Sequence, residues 1–189
     1  MKSLKKVISS FVIVAVLMSF FSFTVFAQSP NALSKEPLYS SVEEFVAANT
    51  AELEEQGIEV VGGDTFVVNR VDPKTRARYT VWVDWDIGYS ASSKIGLGSY
   101  CRAYSTNSNC LLKRLNAVFE WNTLSGSAAG AADVGVTNIV PTYQLYSAYE
   151  TKKTFSSGTR VKCNIFGDVD AISEISGGTF DYTDTVTIP

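Results

Sequence analysis

The chain has 189 residues, with 16 Lys and Arg against 19 Asp and Glu, and its formal net charge is −3. A slightly acidic chain without a basic cluster is a poor candidate for binding nucleic acid or anionic lipid surfaces. It contains no histidine, which removes the usual base of Ser-His-Asp and Cys-His mechanisms and the usual ligand of catalytic zinc. We therefore predict no cofactor, no bound metal and no nucleic-acid partner.

The first 27 residues have the pattern of a secretory signal peptide. A lysine-rich start precedes an apolar run from Val7 to about Phe23. The small residues Val25 and Ala27 lie just before Gln28, where the sequence changes from apolar to polar. The run is short for a membrane anchor, and serines dilute it. The signal resembles those of secreted bacterial proteins, so we predict cleavage, secretion without a mature membrane span, and an environment that permits disulfides.

One helix is predicted after a flexible leader that covers residues 28–40. Ser41 and Glu44 form a capping box, in which the hydroxyl accepts a free backbone N–H and the carboxylate reaches back. Apolar residues follow at helical spacing, and Gly57 can supply a left-handed stop. We predict a helix over about 41–56 that docks on a sheet, with a break possible at Asn49.

From Ile58 onward the hydrophobic pattern has a period of two, which is typical of strands. Thr65–Val71 and Arg76–Ile87 flank the turn sequence Asp72-Pro73-Lys74-Thr75 and predict a hairpin. Further strand candidates, rich in aromatic and β-branched residues, are Ser99–Tyr104, Arg114–Asn122, Thr142–Tyr149, Thr159–Phe166 and Thr179–Ile188.

Several of these strands have one apolar face, and clusters of Gly, Ser and Asn separate them. This pattern predicts a mainly β fold for the single domain 41–189: an antiparallel β-sandwich or squat barrel with one short N-terminal α-helix. Within it, Ser125–Ala132 contains only Ser, Gly and Ala. It is either a flexible loop or a sheet edge where another backbone comes close. A membrane-inserting hairpin would need a longer run in which apolar residues alternate with polar ones than this segment has.

The three cysteines, Cys101, Cys110 and Cys163, make an odd number, which implies one disulfide and one leftover thiol in a secreted chain. Cys101 and Cys110 enclose a polar, turn-like loop, which favours a disulfide between them. A bridge from Cys163 to one of the other two is the alternative. Cys163 alternates with apolar residues, so we expect it to be a buried free thiol.

A candidate ligand-binding site lies on the second hairpin strand. Trp82, Asp84 and Asp86 alternate on the face opposite its apolar one. The tryptophan could stack on a sugar ring while the carboxylates bond its hydroxyls, or the two acids could hold a cation. The structural alternative places Trp82 under the N-terminal helix or a loop, with the aspartates keeping the outer face soluble. A glycosidase acid pair drawn from Asp84, Asp86 and Glu120 is a further possibility.

No residue pattern marks a catalytic centre, whereas aromatic and acidic side chains recur on the strands. We therefore predict a secreted, non-enzymatic β-sandwich protein that binds an extracellular or cell-surface partner or glycan. The alternative is a secreted toxin, bacteriocin-like effector or inhibitor that presents the tip of loop 101–110 rigidly. A carbohydrate-active enzyme is the third hypothesis.

Overall fold

The computed structural model describes residues 39–72, 74–92, 95–107, 110–171 and 178–189. The predicted signal peptide, and the predicted leader up to residue 38, lie outside the described residues. Across the described ranges, we find no helix whose length and apolar character would let it cross a membrane.

The described residues form one helix, α1 (Val42–Glu55), and nine strands. The strands are β1 (Glu59–Val71), β2 (Arg78–Ser90), β3 (Gly96–Ser105), β4 (Leu112–Thr123), β5 (Ala129–Asp133), β6 (Val136–Thr142), β7 (Gln144–Glu150), β8 (Arg160–Ala171) and β9 (Gly178–Thr187). They build two antiparallel sheets. Sheet A has the order β1-β2-β3-β7, and sheet B has the order β5-β4-β8-β9, with β6 also paired to β4. The predicted mainly β sandwich with one short helix is confirmed.

The core lies between the two sheets and is made of the apolar faces that the alternation predicted. Its buried members on β2 and β4 include Val81, Val83, Trp85, Ile87, Leu115, Ala117, Phe119 and Trp121. The rings of Trp85 and Phe119 pack edge-to-face at 6.3 Å between centroids. The indole N–H of Trp85 donates to Ser99 Oγ at 3.0 Å, which satisfies its one polar group inside the core.

The predicted disulfide between Cys101 and Cys110 is wrong, because all three cysteines are free and buried. Cys101 is opposite Trp85 in the register of β2 and β3 and belongs to the core between the sheets. Cys110 instead packs with Tyr79 in a separate cluster. The predicted burial of Cys163 is confirmed. Burial raises the pKa of its thiol to about 12, so it is not a reactive thiolate at neutral pH.

The Ser-Gly-Ala segment is a hairpin end and sheet edge, not a flexible loop. Thr123 Oγ1 accepts the Ala128 N–H at 3.0 Å, and β5 then pairs along β4 at the edge of sheet B. A Cβ at Gly130 would come within 2.8 Å of the Trp121 indole. A glycine is therefore needed where the Trp121 ring lies against the edge strand.

Helix α1 begins and ends as predicted. Ser41 Oγ accepts the N–H of Glu44 at 3.3 Å. The Glu44 carboxylate reaches one residue beyond the cap and accepts the Ser40 N–H at 2.8 Å. Gly57, with φ of 73°, follows the last turn in the left-handed conformation. The helix is continuous through Asn49, so the predicted possibility of a break there is not realised.

Candidate functional site

The three predicted site residues lie on the outer face of sheet A, opposite the main core. The strand register aligns them in rows across β1, β2, β3 and β7. The rows are Val67–Trp82–Tyr104–Gln144, Thr65–Asp84–Arg102–Tyr146 and Gly63–Asp86–Tyr100–Ala148. Helix α1 covers part of this face with the buried residues Phe45, Asn49 and Leu53.

Trp82 packs beneath the N-terminal helix, where the structural alternative placed it. Its ring centroid is 6.1 Å from that of Phe45 on α1 and 5.5 Å from that of Tyr104 on β3. Tyr39 extends this aromatic group, since its ring centroid is 5.3 Å from that of Phe45 and 5.0 Å from that of Tyr104. Trp82 is partly buried, and ligand binding by it stays a prediction.

Asp84 joins the helix to the sheet. Its side chain is 2% exposed, and it accepts hydrogen bonds from Asn49 Nδ2 at 2.8 Å and from Thr65 Oγ1 at 2.9 Å. Burial raises the pKa of Asp84, and these two hydrogen bonds oppose the rise. Sequence reasoning missed this role of Asn49. The signal in the sequence was Asn49 itself, which is a polar residue within a helical spacing of apolar residues.

Arg102 lies among acidic groups beneath the helix and is 1% exposed. Its Nη1 is 3.6 Å from Asp86 Oδ2, and its Nη2 is 3.5 Å from Glu52 Oε2. Within the described residues, neither Asp86 Oδ2 nor either Nη atom has a hydrogen-bond partner. The guanidinium also lies over the Tyr146 ring, 4.6 Å from its centroid, which is a favourable cation–π geometry.

Asp86 is 6% exposed and lies between Asp84 and Arg102 in its electrostatic environment. Burial, and next the neighbouring charge of Asp84, raise the pKa of Asp86 to about 7, although Arg102 acts in the opposite direction. We call Asn49, Glu52, Asp84, Asp86 and Arg102 the helix-covered cluster. A sugar hydroxyl or a cation would reach its two aspartates only if α1 moved away.

A second surface lies on the side of the sandwich where β1 and β9 are the edge strands. A groove of about 620 Å³ is lined by residues 65–69 of β1 and 178–181 of β9. Among these residues, Phe66 and Phe180 stack with ring centroids 5.6 Å apart. We call this surface the β1–β9 groove. Sequence reasoning missed it because no motif identifies which strands become neighbouring edges.

Asp184 holds the two edge strands together beside the groove. Its Oδ2 accepts the Gly63 N–H at 3.2 Å, and its Oδ1 accepts the Thr185 N–H at 2.6 Å. A Cβ at Gly62 would collide with the Asp184 carboxylate, so a glycine permits this approach. We call this contact the Asp184 clasp.

The structure thus brings Asp84 and Asp86 together beneath a helix and leaves the groove open to solvent. Within the described ranges, no group of three or more His, Cys, Asp or Glu side chains is arranged to hold a metal ion. No protein-family model, no curated protein and no solved structure matches the chain. The chemistry of its surfaces therefore has to be inferred from these residues themselves.

Proposed function

We propose that this chain is a secreted, non-enzymatic β-sandwich protein that binds an extracellular or cell-surface partner through the β1–β9 groove. The observation that carries the proposal is the groove itself, which lies between two edge strands and is open to solvent. Its volume falls within the range of roughly 300–1,000 Å³ that is typical of binding sites.

The groove suits a polar partner. The side chains of Asn69, Thr179 and Asp181 are exposed along it, and they offer hydrogen-bond donors and acceptors. Binding without catalysis is supported by the lack of histidine and by the burial of Asp84 and Asp86. Those two carboxylates are too deeply covered to act as an acid pair on a polysaccharide while α1 is in place.

The toxin or inhibitor hypothesis has lost one of its supports. It rested in part on a loop 101–110 held rigid by a disulfide, and Cys101 and Cys110 are free. It remains an alternative because the chain is small and is predicted to be exported. Inhibition of bacterial growth by the purified protein would favour it over the binding proposal.

The experiment that tests the proposal compares two tryptophan substitutions on β9. The secreted protein is labelled and applied to glycan arrays, immobilised extracellular proteins and bacterial cell surfaces. Thr179→Trp fills the groove, whereas Thr187→Trp adds the same ring at another exposed position of the strand, outside the groove. We expect binding to fall about tenfold or more in the first variant only, which corresponds to about 1.4 kcal/mol.

Three results would contradict the proposal. Equal binding of the two tryptophan variants and the unmodified protein would exclude the groove. Release of cleaved products from a bound glycan would exclude a purely binding role. Loss of glycan binding in a folded Trp82→Ala variant, with Thr179→Trp unaffected, would assign the site to the outer face of sheet A.

A further inference from the structure

We infer that the β1–β9 groove takes an extended polypeptide segment, which adds as a strand to the edge of β1 that pairs with no other strand of the described ranges. This inference rests on the proposed function and names the chemical class of the partner. Four observations carry it: the direction of the backbone groups on β1, their blockage near the clasp, the exposed valines of β1, and the relative direction of β1 and β9.

The backbone groups of the odd-numbered residues of β1 point away from β2. Gly63 donates its N–H across to β9, and the Thr65 N–H is bonded to the Asp64 side chain instead of to β2. The register with β2 is regular from Gly62 to Val71, so this alternation continues along the strand. The N–H and C=O groups of Val67 and Asn69 therefore face the groove.

Near the clasp, the outward N–H groups are blocked by neighbouring aspartates. Asp64 Oδ1 accepts the Thr65 N–H at 2.8 Å, and Asp184 Oδ1 accepts the Thr185 N–H at 2.6 Å. Such charged side chains are a known protection of edge strands against pairing. Along the groove, residues 67–69 have no equivalent aspartate on β1. Across the described ranges, β1 forms a ladder with β2 alone.

Two exposed side chains of this edge are apolar, and the exposed Asn69 lies between them. Val67 is 54% exposed and Val71 is 49% exposed. They are four residues apart, so they lie on the same face of β1. Cross-strand pairs of β-branched side chains stabilise a sheet. An added strand would supply such pairs to both valines.

A polypeptide is the partner whose chemistry matches this edge. Its backbone repeats an N–H and a C=O every two residues, roughly 6.8 Å apart, as Val67 and Asn69 do. A glycan has no such repeat of donors and acceptors. Because residues 65–69 face residues 178–181 while Gly63 faces Asp184, β1 and β9 run in opposite directions. A single added strand is antiparallel to only one of them, and the exposed valines favour β1.

The test begins with a displayed library of random linear peptides selected on the secreted protein. We expect the enriched peptides to alternate β-branched or apolar residues with polar ones. An enriched peptide is then synthesised with single backbone N-methyl groups at successive positions. N-methylation removes a hydrogen-bond donor, so binding should weaken about tenfold at alternate positions and change little at the positions between them.

Proline substitutions in the protein, instead of changes in the peptide, test the same hydrogen bonds. Val67→Pro deletes an outward N–H beside the groove, whereas Thr187→Pro deletes one on β9 outside the groove. Only the first should weaken peptide binding, by about tenfold. Thermal melts check that both variants fold. If Val67→Pro does not fold, the N-methyl series decides the question, because it leaves the protein unchanged.

The possible outcomes separate this inference from the proposed function. If Thr179→Trp blocks binding but N-methylation has no alternating effect, the groove binds its partner without strand addition. If only glycans bind in the groove, strand addition is also excluded. A dimer of this chain that Val67→Pro dissociates would assign the edge to a second copy. If Thr179→Trp leaves binding intact, the proposed function itself fails.

Discussion

The helix-covered cluster and the β1–β9 groove both present polar groups at the surface of the same sandwich, but only the groove leaves them in contact with solvent. In the cluster, α1 shields two aspartates and an arginine almost completely. Beside the groove, the Asp184 carboxylate covers two backbone N–H groups, and the groove lies between residues 65–69 and 178–181. An alternating run of acidic residues on a strand can therefore be an internal attachment point for a helix, and the accessible site can lie where no motif exists.

The two regions should also differ in their contribution to stability. Charges buried as deeply as those of Arg102 and Asp86 are costly unless each has a partner of opposite charge. The backbone groups along the groove can bond to water, so they impose little penalty in the free protein. Substitutions in the cluster should accordingly change the free energy of unfolding most, and substitutions beside the groove should change it least.

The largest effect is expected from Arg102→Met. It keeps most of the apolar stem and removes the only cation paired with Asp86 among the described residues, which leaves the aspartates without compensation. The free energy of unfolding is measured in urea at pH 9, where Asp86, with a pKa of about 7, is ionised in the folded protein. Breaking a buried pair there should cost about 3 kcal/mol, because protonation of Asp86 limits the loss.

Arg114→Met is the matched control. Arg114 is half-exposed and pairs with Asp168 at 3.3 Å and with Asp170 at 2.5 Å. Pairs of this kind contribute at most about 1 kcal/mol. Similar losses in the two variants would show that Arg102 is no more important for stability than a surface arginine, and would contradict the account of the cluster.

A smaller effect is expected from pH. The pKa of Asp86 is about 7 in the folded protein, against an ordinary value of 3.8. Between these values the folded state holds a proton that the unfolded state has released, so stability falls as the pH rises. From pH 5 to pH 8 we expect a loss of about 2 kcal/mol. The chain has no histidine that would titrate in the same range.

Asp86→Asn isolates this contribution. The amide has nearly the same shape and does not titrate, so the variant should be more stable than the unmodified protein at pH 8 and nearly independent of pH between 5 and 8. The two charged groups that act on the pKa of Asp86, namely Asp84 and Arg102, remain in place. An unchanged slope of stability against pH in this variant would show that another group is responsible.

Much of the fold was predictable, because it depends on local patterns. Alternation identified the apolar faces of β2 and β4, and the capping box and Gly57 identified both ends of α1. The hairpin turn at Asp72 was recognisable from its composition. The short strand β5 was not predicted, since Ala and Gly have little β propensity and β5 forms because it pairs along β4. Strand β6 was missed although it is rich in β-branched residues.

The site was less predictable, because it depends on which elements meet. Periodicity placed Trp82, Asp84 and Asp86 on one face correctly, but it could not say that α1 covers that face. The polar loop between Cys101 and Cys110 favoured a bridge between them, although alternation along β3 turns Cys101 into the core. The groove depends on strand order, which brings together residues more than a hundred positions apart, such as Gly63 and Asp184.

The smallest effect we predict compares two aspartates at the seam between β1 and β9. Asp184 is partly buried and accepts an N–H from each of the two edge strands. Asp184→Ala removes both hydrogen bonds and should cost about 1–2 kcal/mol in the free energy of unfolding. Asp64 is exposed and accepts only the N–H of its neighbour Thr65 among the described residues. Asp64→Ala should therefore change stability by less than about 0.5 kcal/mol.

Hydrogen exchange at individual amides completes this comparison. Asp184→Ala should speed exchange at both Gly63 and Thr185, because the N–H groups that the carboxylate held become free to open to water. Asp64→Ala should speed exchange at Thr65 alone. If Asp184→Ala left exchange at Gly63 unchanged, the two strands would be held together by their apolar contacts instead of the clasp. The position where the groove begins would then depend on the packing of Phe66 against Phe180.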